Sequence, residues 1–288
     1  IPGEVVFKMG PGDQPVVEVS NQSATATIVL QGAHLIAWAP SGEQQVIWLS
    51  QDAKFAKGKS IRGGVPVCWP WFGPHEASKD FPAHGYARMV PWNVTEVSSA
   101  KGITRIGFRI VQDDKAKSMW PHDCELEMVY SIGTKLGIEL ITRNTGKQAF
   151  VIGEALHTYF EVGDVSRVSI DGLNDCPYLD KVDNFKRKQQ SGAVTITEEV
   201  DRIYLESADD CIIVDPVMQR RIRIAKKGSH STVVWNPWIE KANQMGDLGP
   251  NGYLKMLCVE SANAAEDVVT IKPDKEHRLS VSYSVETL

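Results

Sequence analysis

Long apolar runs are missing from this sequence, and so is any excess of positive charge. No stretch approaches the roughly 18 apolar residues that a membrane-spanning helix needs, and the opening residues, IPGEVVFKMG, lack the apolar core of a signal peptide. The chain begins at Ile1 without an initiator methionine, which suggests a trimmed or processed start. The formal net charge is −5, and the basic residues are scattered apart from Lys186-Arg187-Lys188 and the stretch from Arg220 to Lys227. Binding nucleic acid requires a basic face to offset phosphate repulsion. The two clusters therefore read as solvated strand or loop faces, and neither a nucleic-acid nor a membrane partner is expected.

Cysteine is sparse and unpatterned. The five cysteines, at 68, 124, 176, 211 and 258, are odd in number and show no CxxC spacing. That disfavours a disulfide framework and a structural zinc site, and fits reduced thiols in a cytoplasmic protein. The sequence also has no GxGxxG after a strand, no GxxxxGK[ST], no HExxH and no GxSxG. His75, His84 and His122 lack metal-ligand spacing. Nucleotide and metal chemistry therefore have little support.

What is present is strand periodicity. Of the 288 residues, 42% are hydrophobic and 23% charged, values that allow a sizeable core. In CELEMVYSI, Leu126, Met128, Tyr130 and Ile132 face one way while Glu125, Glu127 and Ser131 face the other. Leu136, Ile138 and Leu140 of KLGIELITRN repeat the pattern after Gly133-Thr134, which predicts a hairpin. Similar short runs, among them ATATIVL, QVIWLS, CIIVDP, RRIRIAK, STVVWNP and YLKMLCVES, are separated by Gly, Pro, Asn or Asp. Helix is expected only as a turn or two near residues 51–57, and the polar gap from Asp113 to Cys124 reads as a loop. Many short strands with frequent turns indicate an all-β, mainly antiparallel sandwich or barrel. No linker or repeat divides the chain, and residues 1–288 read as one domain.

Five segments carry chemistry. SIRGGVPVCWPWFGPH sets Arg62 beside Gly63 and Gly64 and ahead of three prolines, which makes an ordered loop. PAHGYARMVPW brings His84 and Arg88 around Gly85. A guanidinium presents a planar fork suited to phosphate, yet either arginine taken alone reads more readily as a surface or structural salt bridge. His157 shares a predicted strand face with Val151, Ala155 and Tyr159. It is either a core histidine bonded to a backbone carbonyl or an acid or base near neutral pH. Glu260 falls in line with Leu254, Met256 and Cys258. Either a bulge carries it to solvent, or a buried carboxyl is held there for a purpose. Asp201 of DRIY, taken alone, reads as a turn residue. Trp69, Trp71, Phe72, Trp235 and Trp238 each read singly as core residues, while their clustering in two Pro-containing loops tilts them toward an apolar platform at a pocket rim.

In this order along the chain, SIRGGVPVCWPWFGP, HGYAR, ALHTYF, DRIY and WNPWIEKANQMGDLGPNGYLKMLCVESANA resemble the hexose-6-phosphate mutarotases, also called glucose-6-phosphate 1-epimerases, in particular the bacterial branch. The resemblance runs from about residue 30 to the C-terminus. It implies a galactose-mutarotase-like β-supersandwich without metal or cofactor. It also implies a catalytic acid at His157, a catalytic base at Glu260, and phosphate ligands at Arg62 and Arg88. Asp201 would hold a sugar hydroxyl or order the site, and His84 would join the substrate-binding residues. One departure is Ala83, where relatives often carry Gln.

The implied reaction interconverts the α and β anomers of a hexose 6-phosphate. A base takes the C1 hydroxyl proton while an acid protonates the ring oxygen, the ring opens, the C1–C2 bond rotates, and the reverse transfers close the other anomer. Two rival readings stand beside it. A mutarotase of neutral aldoses keeps the His and Glu without depending on the arginines, and a non-catalytic carbohydrate-binding β-sandwich protein uses only the aromatic loops. A monomer is the default expectation.

Overall fold

The computed structural model describes all residues from Ile1 to Leu288. Every ladder between its strands is antiparallel, as the short alternating runs predict. The predicted hairpin is present: Cys124–Ile132 pairs with Lys135–Asn144, with Met128 opposite Leu140 and Tyr130 opposite Ile138. Its apolar face is fully buried and its glutamates form an outer ion-pair row with Arg109 and Arg143.

This hairpin lies within a nine-stranded sheet that also contains Ile103–Ile110, Glu276–Thr287, Arg220–Lys227 and Cys211–Asp215. An eight-stranded sheet runs in the order Lys186–Gln189, Pro177–Asp180, Val200–Tyr204, Ser231–Asn236, Met256–Asn263, Glu154–Leu156 and Val67–Cys68, with Tyr159–Glu161 also paired to Met256–Asn263. Residues Val5 to Pro40 add a four-stranded sheet. A buried cluster of 53 residues joins all three. Phe160 packs edge-on against Tyr283 at 5.0 Å, and Thr158 shares a 2.7 Å hydrogen bond with the same tyrosine, which ties the two large sheets together.

The helices differ from expectation. Residues 51–57 form no helix. The Asp113 to Cys124 gap instead holds a helix at Asp114–Met119, capped by the Asp113 carboxylate accepting from Ala116 N at 2.8 Å. A second helix, Trp238–Met245, stops at Gly246, whose φ of 67° ends it in the left-handed region. Both are too short for sequence periodicity to reveal. QVIWLS makes only isolated bridges, Ile47 to Phe160 and Leu49 to Gly63, and no strand. No helix is long and apolar enough to cross a membrane.

Candidate functional site

Alternation along Met256–Asn263 builds the floor of the site. Leu257 and Val259 enter the main core, so Met256, Cys258 and Glu260 take the other face. The strand pairs with Ser231–Asn236 without a register shift, setting Glu260 opposite Val233, and no bulge carries it to solvent. Leu254 does not share this face, because it belongs to the 3-10 turn Gly252–Leu254 before the strand begins. Glu260 is 1% exposed. Its Oε1 lies 3.4 Å from His157 Nε2, and its Oε2 is buried without a partner.

His157 follows the end of Glu154–Leu156, where its backbone N–H donates to Pro66 O at 3.0 Å. Its imidazole lies 12° from parallel to the Tyr159 ring at 5.0 Å and meets Trp235 edge-on at 5.8 Å. Nδ1 is buried and meets no partner in another residue; the backbone group that acts on the ring is that of His157 itself. The expected face shared with Val151 does not form. Val151 belongs to Phe150–Ile152, which pairs with Val269–Ile271 in a separate two-stranded sheet and leaves Val151 exposed.

Burial pushes Glu260 well above the usual carboxyl range; Lys181 and Arg88 pull it back, and Asp201 pushes it further. Burial also holds His157 well below the usual imidazole value, and the neighbouring His84, Arg88 and Arg62 push it the same way. Among these protein groups alone, a proton shared by the pair therefore rests on Glu260.

Arg62 is set by its loop. Gly63 and Gly64 have φ of 103° and 72°, and a Cβ on Gly63 would fall 2.7 Å from Leu49 Cα. Neither position suits another residue. His34 donates from Nε2 to Gly63 O at 2.8 Å, the one sense open to a carbonyl partner, and pins the turn from below. Arg62 then donates from Nε to Asp247 at 3.0 Å and from Nη1 to the Tyr159 hydroxyl at 3.0 Å. Burial opposes its charge, and Tyr159 and Asp247 more than restore it. The salt-bridge reading of Arg62 is thus realised together with a place in the cavity wall.

The HGYAR segment supplies two further groups. Gly73 N–H points at His84 Nδ1 at 3.3 Å, which assigns the neutral ring's proton to Nε2. Burial, with Arg88 and Lys181, lowers His84 to about 3, so the ring is neutral at any ordinary pH. Arg88 donates from Nη2 to Ala83 O at 2.9 Å. Ala83 takes part through its backbone, a contact that the change of side chain leaves intact.

Asp201 is a strand residue of Val200–Tyr204 rather than a turn residue, and its Oδ2 holds Lys181 Nζ at 2.8 Å. Lys181 was not among the sequence candidates. It follows directly on Pro177–Asp180, and the pairing of that strand with Val200–Tyr204 delivers it to Asp201. Lys241, on the Trp238–Met245 helix and paired with Glu199 at 2.6 Å, is a second addition.

The aromatic platform needs correction. Trp69 is fully buried, donating to Thr142 Oγ1 at 3.0 Å, and Trp238 packs on Tyr253. Trp71 packs with Phe81 and His75. Phe72, Tyr159 and Trp235 are the aromatics that face the cavity.

One cavity of about 340 Å³ is lined by all six sequence candidates, Arg62, His84, Arg88, His157, Asp201 and Glu260. With Lys181 and Lys241 it presents four cationic side chains against two acidic ones. His157, Cys258 and Glu260 offer potential metal-ligand atoms within 4.8 Å of one another. Cys258, however, is fully buried and outside the cavity lining, and burial with Glu260 keeps its thiol protonated, a poor start for a thiolate ligand. The arrangement suits proton transfer beside an anion-attracting wall.

Known proteins resemble the chain in sequence and in fold. The family model for aldose 1-epimerase matches residues 15–284. A protein of Escherichia coli (strain K12) named "Putative glucose-6-phosphate 1-epimerase" is 38% identical over 264 residues, covering 91% of this chain and 87% of its own. The crystal structure of a "putative mutarotase (YeaD)" from Salmonella typhimurium superposes with a TM-score of 0.94 at 32% identity, over 100% of this chain and 95% of that one. A galactose mutarotase-like protein from Lactobacillus casei, 15% identical, shares the fold with a TM-score of 0.71, over 94% of this chain and 100% of its own. The fold is the expected galactose-mutarotase-like β-sandwich, and the chain belongs to the aldose 1-epimerase family.

Proposed function

We propose that the protein interconverts the α and β anomers of hexose 6-phosphates, glucose 6-phosphate foremost. The observation that carries this reading is the placing of a histidine–carboxyl pair 3.4 Å apart in a cavity with a surplus of cationic side chains. Glu260 takes the C1 hydroxyl proton and His157 gives one to the ring oxygen, which breaks the C1–O5 bond and leaves the aldehyde. After rotation about C1–C2, His157 takes the O5 proton back as O5 attacks C1, and Glu260 returns its proton to O1. Each group ends as it began, so no net proton enters or leaves. General acid and base catalysis contribute roughly 10²–10⁴-fold each.

Arg62 and Arg88 take the phosphate. Arg62 spends Nε and Nη1 on Asp247 and Tyr159 and keeps Nη2 for an anion. His84, a donor at Nε2, and Asp201, an acceptor, hold sugar hydroxyls. Binding energy gained at the phosphate, away from the reacting bond, holds C1 between base and acid. The ratio of catalysed rates for glucose 6-phosphate and free glucose tests this. A large ratio that collapses in Arg62→Ala supports it, and a ratio untouched by the substitution contradicts it.

We also read residues 1–288 as one domain, since one buried cluster draws on every large sheet. A monomer in the cytoplasm completes the reading, a setting that the five free thiols fit.

A further inference from the structure

Arg62 reaches His157 through a single intermediary. Its Nη1 donates to the Tyr159 hydroxyl at 3.0 Å, and the Tyr159 ring stacks on the His157 imidazole at 5.0 Å. The cation cannot swing away, because Asp247 holds Nε while the Asp247 backbone carbonyl accepts from Ser50 Oγ at 2.7 Å. Arg88 is likewise anchored, on Ala83 O. His157 therefore stands in the field of two fixed guanidinium groups.

The other groups around His157 do little to offset that field. Glu260 touches it from the Met256–Asn263 strand, with the protonated Cys258 thiol on the same face. The neutral His84 ring lies 5.9 Å away, and Tyr159 keeps its phenolic proton because burial raises it. The charged lining is completed by Lys181, paired with Asp201, and by Lys241, paired with Glu199 outside the lining; Arg62 is itself paired with Asp247 through Nε, and Arg88 has no carboxylate partner. Burial, foremost, and then His84 and the two arginines thus disfavour on His157 the proton that an acid must carry, and only a hydrogen bond to its own backbone favours it.

We propose, on the basis of the hexose-phosphate reading above, that a dianion held at Arg62 and Arg88 switches His157 to its protonated form, so that the substrate's phosphate activates the acid as well as anchoring the sugar. Two negative charges cancel the field of the arginines in a site where little water screens them. The proton moves within the pair: the O–H bond on Glu260 breaks and an N–H bond on His157 Nε2 forms. A carboxylate base and an imidazolium acid result, with no net proton taken up. A neutral sugar brings no such charge and meets the pair in the opposite state. Selectivity for the phosphate ester then appears in kcat, beyond any effect on KM.

Supplying the two halves of the substrate separately tests this. Sulfate stays a dianion across the working pH range, so free glucose is given with sulfate, and ionic strength is matched with chloride. The expected result is a saturable rise of about tenfold or more in enzyme-dependent glucose anomer exchange, the change that one unit of acid strength represents. The same sulfate should inhibit glucose 6-phosphate turnover competitively. The NMR signals of the His157 imidazole should move toward the imidazolium position, and Arg62→Met should abolish these responses. Sulfate that inhibits glucose 6-phosphate turnover yet leaves glucose exchange and the His157 signals unchanged would overturn the proposal, and so would sulfate that does not inhibit at all. Both results leave the assigned function standing, whereas failure to turn over glucose 6-phosphate removes that function and this proposal together.

Discussion

His157 Nε2 and Glu260 Oε1 face each other across 3.4 Å, one from a strand end and the other from mid-strand, with Tyr159 and Trp235 packed around the histidine. Glu260→Gln keeps the shape of the side chain and removes its capacity as a base. Turnover of glucose 6-phosphate should fall by roughly 10²–10⁴-fold with its binding nearly unchanged. His157→Asn should fall similarly. Near-normal turnover in either variant, in an anomer-exchange assay, contradicts the assignment.

Lys181 is the foremost charge holding Glu260 down, and it also neutralises Asp201, which otherwise pushes Glu260 up. Removing it acts twice in the same direction. In Lys181→Met the acidic limb of the pH profile of kcat/KM should move to higher pH, lowering activity near pH 6 on the order of tenfold. Lys181→Arg should restore the limb. A uniform loss across the profile would instead mean that Lys181 serves only to hold the loop.

Gly64 has φ of 72°, and a Cβ there would fall 2.5 Å from His34 Nε2, the atom that pins the Arg62 turn. Gly64→Ala should destabilise the fold by about 2 kcal/mol or more, through strain in the left-handed region and loss of the His34 contact. Urea unfolding measures it. An unchanged midpoint contradicts the claim that the loop requires glycine.

Glu154 lies outside the cavity, fully buried, with neither carboxyl oxygen hydrogen-bonded. His277 Nε2 is 3.3 Å away but is engaged with Asn263 Oδ1 at 3.1 Å. Burial raises Glu154 above its ordinary 4.5, with His277 pulling the other way. The folded chain therefore keeps this proton to higher pH than the unfolded chain does. The associated stability is present below the unfolded value and is lost as pH rises through the folded one. Glu154→Gln removes that loss, so its advantage over the wild type in thermal midpoint should grow as pH rises above the ordinary carboxyl range. An advantage that stays flat with pH rules out this account of Glu154.

How far these features were legible in the sequence depended on how local their causes are. Glu260 was legible because its strand pairs without interruption, so period-2 alternation gives its true face. The same rule failed at His157, where the chain leaves one sheet after Ile152 and enters another at Glu154. Alternation cannot be carried across such a switch. Lys181 was invisible because its position depends on pairing between strands about twenty residues apart, set by the sheet and by no local pattern. Trp69 looked like a rim residue from its proline-rich surroundings, but a hydrogen bond to Thr142 in the opposite sheet draws it into the core. The helix Trp238–Met245 is only eight residues long, too short for a convincing 3.6-residue period.

The most direct test of the central claim is magnetisation-transfer NMR on the α and β anomers of glucose 6-phosphate, with catalytic amounts of protein and with Glu260→Gln as control. The account predicts exchange that rises in proportion to wild-type protein and nearly vanishes in the variant. Exchange no faster than in buffer, or equally fast with both proteins, would contradict it.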